Sequence, residues 1–195
     1  MTGIAGSGII LLSGWRLIFW IIGAAAVLSL LMTGFVLEET LEPERRVPAN
    51  AGTLLRGART LLSDPVFMGL TFIGGFGMAS FFVFIASAAF VYTGQFGLSP
   101  TGFSLAFAIN AIGFFSASQL AAGLGERFGV DRVISYASTG FLLFTSVLLV
   151  LTIAGYGSLT VIIAFLFCAN ACLGLIIPTT MVMALGPHGE IAGLA

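Results

Sequence analysis

The sequence has no lysine and very little charge of either sign. Seven arginines and eight acidic residues make up 8% of its 195 residues, and 58% of the residues are hydrophobic. Soluble domains carry roughly 25% charged residues, so this chain has too little polar surface to cover a soluble globule. The lipid bilayer is therefore the expected solvent, and a net charge of −1 gives no basis for binding nucleic acid.

Cysteine and histidine are also scarce, which argues against metal and acid–base chemistry. Cys168 and Cys172 lie four residues apart in one apolar run, and the single histidine, His188, is far along the chain. A zinc site needs about four ligands close together, so we expect two small buried thiols and no metal. No His, Asp or Glu falls inside a hydrophobic run. We therefore expect neither an intramembrane enzyme nor a bound cofactor.

Five uncharged runs are long enough to cross a bilayer as helices. A transmembrane helix needs roughly 20 predominantly apolar residues, whereas a barrel strand needs about 10 of alternating character. These runs are continuously apolar, and a backbone in lipid must satisfy its own hydrogen bonds, so helices are predicted. The predicted spans are Leu17–Leu37, Val66–Tyr92, Phe103–Leu124, Val133–Ala154 and Leu159–Leu185. The N-terminus lacks the basic region and cleavage site of a signal peptide.

The charged residues lie between these runs, and their distribution predicts a topology. Five crossings place only Arg16 on one side of the membrane. Cytoplasmic loops carry an excess of basic residues, so the other side is predicted to be cytoplasmic. The six arginines on that side are Arg45, Arg46, Arg56, Arg59, Arg127 and Arg132.

The linker between the first two runs is the only sizeable polar segment. Its second part, Thr53–Asp64, has apolar residues at helical spacing, with Arg56 and Arg59 mainly off that stripe. This pattern predicts a short amphipathic helix lying on the inner membrane surface. The apolar stripe consists of Leu54, Leu55, Ala58, Leu61 and Leu62.

A short charged turn, "GLGERFGVDRV", separates the third and fourth runs. Gly129 can adopt a positive φ and end the third helix. Arg127 suits the negative C-terminal end of that helix, and Asp131 can cap the next one. Glu126 and Arg132 complete the cluster of four charges. Helix capping is thus one complete interpretation of this turn.

Uncharged polar residues inside the runs are candidates for a cavity or for helix packing. Asn110 and Gln119 are nine residues apart, so they face opposite sides of a helix and at most one can reach a central cavity. Each lies on a stripe of small residues, which favours an interhelical hydrogen bond over a ligand contact. Asn170 in the last run is equally open to either role.

The second run contains a glycine-rich stretch beside several phenylalanines. Gly74, Gly75 and Gly77 weaken a helix and allow a bend or close packing. Phe76 and Phe81 could line an apolar drug-binding pocket, although phenylalanines in membrane helices more often face lipid or pack against other helices. Phe82 and Phe84 are further candidates. In the last run, Pro178 is predicted to kink the helix and free a carbonyl.

The charged turn resembles a loop motif of the major facilitator superfamily, Gly-x-x-x-Asp-Arg-x-Gly-Arg-[Lys/Arg]. Glu126, Arg127 and Gly129 fall on its acidic, arginine and glycine positions. The departures from the motif are Ala122, Val130 and Asp131, with Arg132 one position late. Two further stretches, "GWRLIFWI" and "LEETLEPERR", resemble the sixth helix and central loop of drug-efflux members of that superfamily. Two others, "FIASAAFVYTGQFGLSPTGFSLAFAINAIG" and "GLIIPTTMVMAL", resemble helices seven, eight and ten of its Bcr/CflA-type drug-resistance branch.

This resemblance implies an all-α integral membrane protein with about five transmembrane helices of a twelve-helix bundle. Residues 1–37 would end an N-terminal half with one transmembrane helix, and 38–65 would form a cytoplasmic linker. Residues 66–195 would form a truncated C-terminal half with four helices. The implied partners are lipid, the missing N-terminal helices, protons and a small amphipathic substrate.

The function implied by the resemblance is proton-coupled efflux of drugs or amphipathic metabolites across a bacterial inner membrane. The charged turn would then act as a cytoplasmic gate between two states. Two alternatives remain. Uptake of a small solute such as a sugar should place more polar groups in the spans than are present. A non-transporting scaffold or assembly subunit would need no aqueous cavity.

Overall fold

The computed structural model describes residues 16–35 and 50–187, and helices account for nearly all of them. The all-α fold expected from the sequence is confirmed, and no strand occurs within those two ranges. The helices are α1 (Arg16–Phe35), α2 (Ala51–Ser63), α3 (Pro65–Ala89), α4 (Pro100–Phe128), α5 (Val130–Ile153) and α6 (Leu159–Leu185), and a π-helical turn (Phe90–Gln95) extends α3.

Four helices are long and apolar enough to cross a membrane, and they match the last four predicted spans. They are α3 with its π-helical turn (Pro65–Gln95), α4, α5 and α6. The apolar part of α1, Phe19–Phe35, is shorter. Residues 1–15 and 36–49, on either side of α1, lie outside the described residues. The first of the five spans therefore stays a prediction.

The chain divides into two compact units, Met1–Asn50 and Ala51–Ala195. In the second unit α6 is the central helix and packs against α3, α4 and α5. Its closest neighbour is α4, because glycines stand where the two helices cross. A Cβ on Gly113 would lie 2.9 Å from the ring of Phe167. Small residues at a crossing let two backbones approach, which is how helices associate in lipid.

Three of the helices begin directly after a polar residue of a connector, which caps the helix N-terminus. Oδ1 of Asp64 accepts hydrogen bonds from the backbone N–H groups of Val66 and Phe67, at 2.8 and 3.3 Å. Ser99 and Ser158 cap α4 and α6 in the same way. These bonds satisfy donors that a helix N-terminus otherwise leaves unpaired.

The predicted amphipathic segment is helical and forms α2, whose observed bounds are Ala51–Ser63. Leu61 is buried, and α2 contacts α3 within the second unit. Leu55 and Leu62 are exposed by 74% and 67%. One leucine of the stripe, Leu61, therefore packs inside the protein, whereas Leu55 and Leu62 remain on its surface. Its insertion into a membrane surface stays a prediction.

Candidate functional site

Within the charged turn, a single residue, Gly129, connects α4 to α5. Its φ of +88° lies in the region that favours glycine, and its N–H donates to the carbonyl of Gly125 at 3.0 Å. The predicted role of Gly129 in ending α4 is confirmed. The prediction that Asp131 caps α5 is wrong. Gly129 itself occupies the N-cap position and no side chain caps the helix, because α5 has already begun before Asp131.

The four charged side chains of this turn are all exposed. Arg127 lies in the last turn of α4 and Asp131 in the first turn of α5, and each charge suits the dipole of its helix end. The guanidinium carbon of Arg127 lies 5.2 Å from the centre of the Phe128 ring. Glu126 and Arg132 are the other two charges, and none of the four forms an ion pair with a described residue. All four are therefore available to groups outside the described ranges.

An open groove of about 500 Å³ runs between α3, α5 and α6. It is lined mainly by apolar side chains, among them Phe76, which is 70% exposed, and Phe141. A smaller pocket of about 270 Å³ adjoins it and shares both rings. The buried hydroxyl of Ser138 faces this smaller pocket and has no hydrogen-bond partner among the described residues. The polar residues of the groove are Ser80, Ser87, Thr145 and Asn170.

The glycines and phenylalanines singled out in α3 have different surroundings. A Cβ on Gly74 would lie 2.9 Å from the hydroxyl of Thr180, and one on Gly77 would lie 3.5 Å from Leu173, so both permit close contact with α6. Gly75 has open space beside it. The ring of Phe81 stacks on Phe114, with centroids 4.5 Å apart. Phe81 therefore packs between α3 and α4, whereas Phe76 lines the groove.

A buried hydrogen-bond network joins α4, α6 and the π-helical turn. Asn110, 1% exposed, donates from Nδ2 to the carbonyl of Ala106 at 3.0 Å and to the hydroxyl of Tyr92 at 3.3 Å. Asn170, 3% exposed, donates from Nδ2 to Oδ1 of Asn110 at 3.1 Å. Gln119 is exposed on the opposite face of α4. The structure thus pairs Asn110 with Asn170 and leaves Gln119 apart.

Sequence reasoning did not identify Tyr92 as part of this network. The residue ended a predicted span, and tyrosines at span ends are ordinary membrane-interface residues. Here the π-helical turn carries Tyr92 into the core, where it is 1% exposed. A wider helical turn of this kind has no reliable sequence signal.

Pro178 lies inside α6, which continues past it to Leu185. Proline has no N–H, so the carbonyl of Gly174 loses its α-helical partner. The next two residues, Thr179 and Thr180, donate hydrogen bonds from their hydroxyls to backbone carbonyls of the preceding helical turn. Thr180 donates to Ile176 at 2.8 Å, and Thr179 donates to the carbonyls of Leu175 and Ile176. The kink at Pro178 stays a prediction.

Comparison with known proteins places this architecture in a family. The chain matches the Major Facilitator Superfamily over residues 1–193. It is 30% identical, over 97% of its length, to an uncharacterized MFS-type transporter, YdgK, of Bacillus subtilis, and the match spans 48% of that protein. It is 25% identical over 69% of its length to a bicyclomycin resistance protein homolog of Haemophilus influenzae, with 34% of that protein covered.

The chain thus spans half or less of the length of these relatives. No solved structure gives a significant match. The helical bundle, the four membrane-capable helices and the match over almost every residue lead to one conclusion. The chain belongs to the major facilitator superfamily of membrane transporters.

Proposed function

We propose that this chain is part of a secondary active transporter that exports amphipathic, drug-like molecules. The observation that carries the proposal is the uncharged groove of about 500 Å³ between α3, α5 and α6. Its volume lies within the range of about 300–1,000 Å³ typical of small-molecule sites. The similarity to a bicyclomycin resistance protein homolog supports a drug-like substrate.

The proposed energy source is proton entry, and the proton-carrying group lies outside the described spans. Coupling needs an ionisable group at membrane depth. Within residues 65–185, Asp and Glu occur only at Glu126 and Asp131, at the ends of α4 and α5. We accordingly assign residues 1–37 to the end of an N-terminal half and 66–195 to part of a C-terminal half. Bacterial relatives support an inner-membrane location.

The proposed gate is the turn at Gly129 with its four exposed charges. A one-residue connection fixes α4 and α5 to each other, so the charges move with both helices. If the two halves rock around a midplane site, contacts made by Glu126, Arg127, Asp131 and Arg132 would favour one state. Their exposure leaves them available for such contacts.

Two other functions fit the site less well. A sugar-like solute needs several hydrogen-bonding groups around it, but only four polar residues line the groove among its twelve lining residues. A non-transporting scaffold would have no use for an open groove.

The test is drug export by the full gene product, expressed in a bacterium that lacks its own efflux pumps. We expect lower accumulation of radiolabelled bicyclomycin than in empty-vector cells, and a protonophore should remove the difference. Membrane fractionation of the same cells should recover the protein with the inner membrane. Equal accumulation in both strains, with the protein present in the membrane, would contradict the proposal for this substrate class.

A further inference from the structure

The helix α2 presents three different faces around its axis. One face carries Gly57 and Leu61, which are buried where α2 packs against α3. The helical rotation of about 100° per residue places a second, apolar face beside it. The third face carries Arg56 and Arg59, and both are exposed. The residues of the apolar face are also exposed, and they are Leu54, Leu55, Ala58 and Leu62.

The connection to α3 holds α2 at the edge of the membrane. Only Asp64 separates α2 from Pro65, the first residue of α3. Oδ1 of Asp64 caps α3, and the membrane-capable stretch of α3 begins at Pro65, so the span starts directly after this joint. A helix held this close to the start of a span lies at the level of the lipid headgroups. The exposed leucines of α2 are therefore within reach of the bilayer.

The residue pattern of α2 favours lipid over a neighbouring helix as the partner of its apolar face. Among the six described α-helices, α2 is the least apolar and separates its apolar from its polar residues most strongly. Low overall hydrophobicity with strong segregation is typical of a helix that lies in the plane of the membrane interface. A helix enclosed by other helices is apolar all round, as α6 is.

Both arginines have guanidinium groups that are available to lipid phosphates. No described residue forms an ion pair with either of them, and α2 itself has no acidic residue. Arg59 lies one turn from Leu55 and one turn from Leu62, so its methylene stem can follow the apolar face. Its guanidinium then reaches the phosphate level, where its planar donors can bind two phosphate oxygens. Arg56 lies one turn before Arg59 and adds a second positive charge.

We propose that α2 binds an anionic phospholipid in the leaflet where α3 begins. The acyl chains of the lipid contact Leu55 and Leu62, and its phosphate binds Arg59, with Arg56 as the second positive charge. A zwitterionic phospholipid also carries a phosphate, but its positive headgroup opposes the arginines, so an anionic headgroup is favoured. This site is separate from the groove between α3, α5 and α6, and the inference does not depend on which molecule is transported.

The experiment measures which lipid touches position 55 in the full gene product, reconstituted in nanodiscs of phosphatidylcholine and phosphatidylglycerol. Leu55→Trp places a fluorophore on the apolar face, and the emission of the protein without this substitution is subtracted. Brominated acyl chains quench a tryptophan that they contact, so bromination of one lipid at a time gives the relative association constant. We expect a value of about 5 to 30 in favour of phosphatidylglycerol, because each basic side chain near an anionic membrane contributes a factor of about five.

Arg56→Gln combined with Arg59→Gln should bring the relative association constant to about one. The corresponding double lysine variant keeps both charges and should retain the preference for phosphatidylglycerol. The matched control is Arg127→Gln combined with Arg132→Gln, which removes the same charge from the turn at Gly129 and should leave the preference at α2 unchanged. Salt at about 1 M should reduce the preference, because it screens exposed charges beyond about 3 Å.

Three results would overturn the inference. The first is an absence of quenching by either brominated lipid, both for Leu55→Trp and for Leu62→Trp, which would mean that a protein segment covers the apolar face. The second is quenching with a relative association constant of one, which would mean apolar contact without recognition of the headgroup. The third is a preference that survives the double glutamine variant of Arg56 and Arg59. Drug export is measured separately in cells, so failure of this inference and failure of the proposed function can be told apart.

Discussion

Gly174 of α6 lies directly against the main-chain carbonyl of Phe114 of α4, with no space for a side-chain carbon between the two helices. The methyl of Ala117 would lie 3.2 Å from a Cβ at the same position. In lipid, apolar contact gives little advantage over contact with acyl chains, so association depends on close van der Waals packing. This contact therefore holds the central helix α6 against its closest neighbour.

Replacement of Gly174 should accordingly destabilise the bundle. Gly174→Ala places a methyl group in occupied space, and overpacking of this kind costs about 1–3 kcal/mol. Gly75→Ala is the matched control, because Gly75 is also helical but has open space beside it. Alanine should there be neutral or stabilising by up to about 1 kcal/mol. The measurement is the midpoint of thermal unfolding in detergent, and equal midpoints for the two variants would show that the crossing can relax.

The buried amide of Asn110 should contribute more to stability than the exposed amide of Gln119 in the same helix. Asn110→Leu removes three hydrogen bonds, two donated by Asn110 and one accepted by it, and leaves Nδ2 of Asn170 without its acceptor. Membrane hydrogen bonds average about 0.6 kcal/mol each, so we expect a loss of about 1–3 kcal/mol. Gln119→Leu should change the unfolding midpoint little. Similar losses for both would mean that Gln119 also has a partner, beyond the described ranges.

The membrane-spanning helices could be predicted from the sequence because lipid allows few alternatives. An uncharged run of about 20 residues in a bilayer is a helix. The bounds were less accurate. The sequence predicts the third span over Phe103–Leu124, but α4 extends over Pro100–Phe128, because a helix continues into the polar residues beyond its apolar part.

The groove and the network could be predicted only in part. The opposite orientation of Asn110 and Gln119 follows from helical periodicity, which acts within one segment. The partner of Asn110 lies 60 residues away in the sequence. Helical periodicity describes one segment and does not predict which two helices pack against each other. The same holds for Phe81 and Phe76, which differ in their neighbours although both belong to one apolar run.

Gly129 offers a test of the proposed gate. Its φ of +88° strains any other residue by about 1–3 kcal/mol, so Gly129→Leu should shift the angle between α4 and α5. We expect lower bicyclomycin export by the full gene product with unchanged membrane insertion. Gly123→Leu is the control, since that glycine has a helical conformation and no atom near its Cβ position. If Gly129→Leu lowers only the unfolding midpoint and export is normal, helix capping is the whole role of the turn.

The topology can be tested with reporter tags in the connectors. Tags at Arg46, Gly129 and His188 should report the cytoplasm, and tags at Gly97 and Gly155 the outside. The reason is the alternation of spans together with the arginine bias. Gly97 and Gly155 both have positive φ in turns between spans, so insertions there should be tolerated. A single tag that reports the opposite side of the membrane would contradict the predicted five-span topology.

Residues 1–195 alone are expected not to couple transport to protons. Coupling needs a group that titrates inside the membrane, and burial is what tunes its pKa. In the four described spans the carboxylates lie only at helix ends, at Glu126 and Asp131, where both are exposed. Alternating access also needs a second half to move against. The measurement uses proteoliposomes holding only these residues, with an imposed pH gradient and radiolabelled bicyclomycin. Uptake should equal that of empty liposomes, with or without a protonophore. Gradient-dependent uptake would contradict this prediction and would mean that the proton-carrying group lies within residues 1–195.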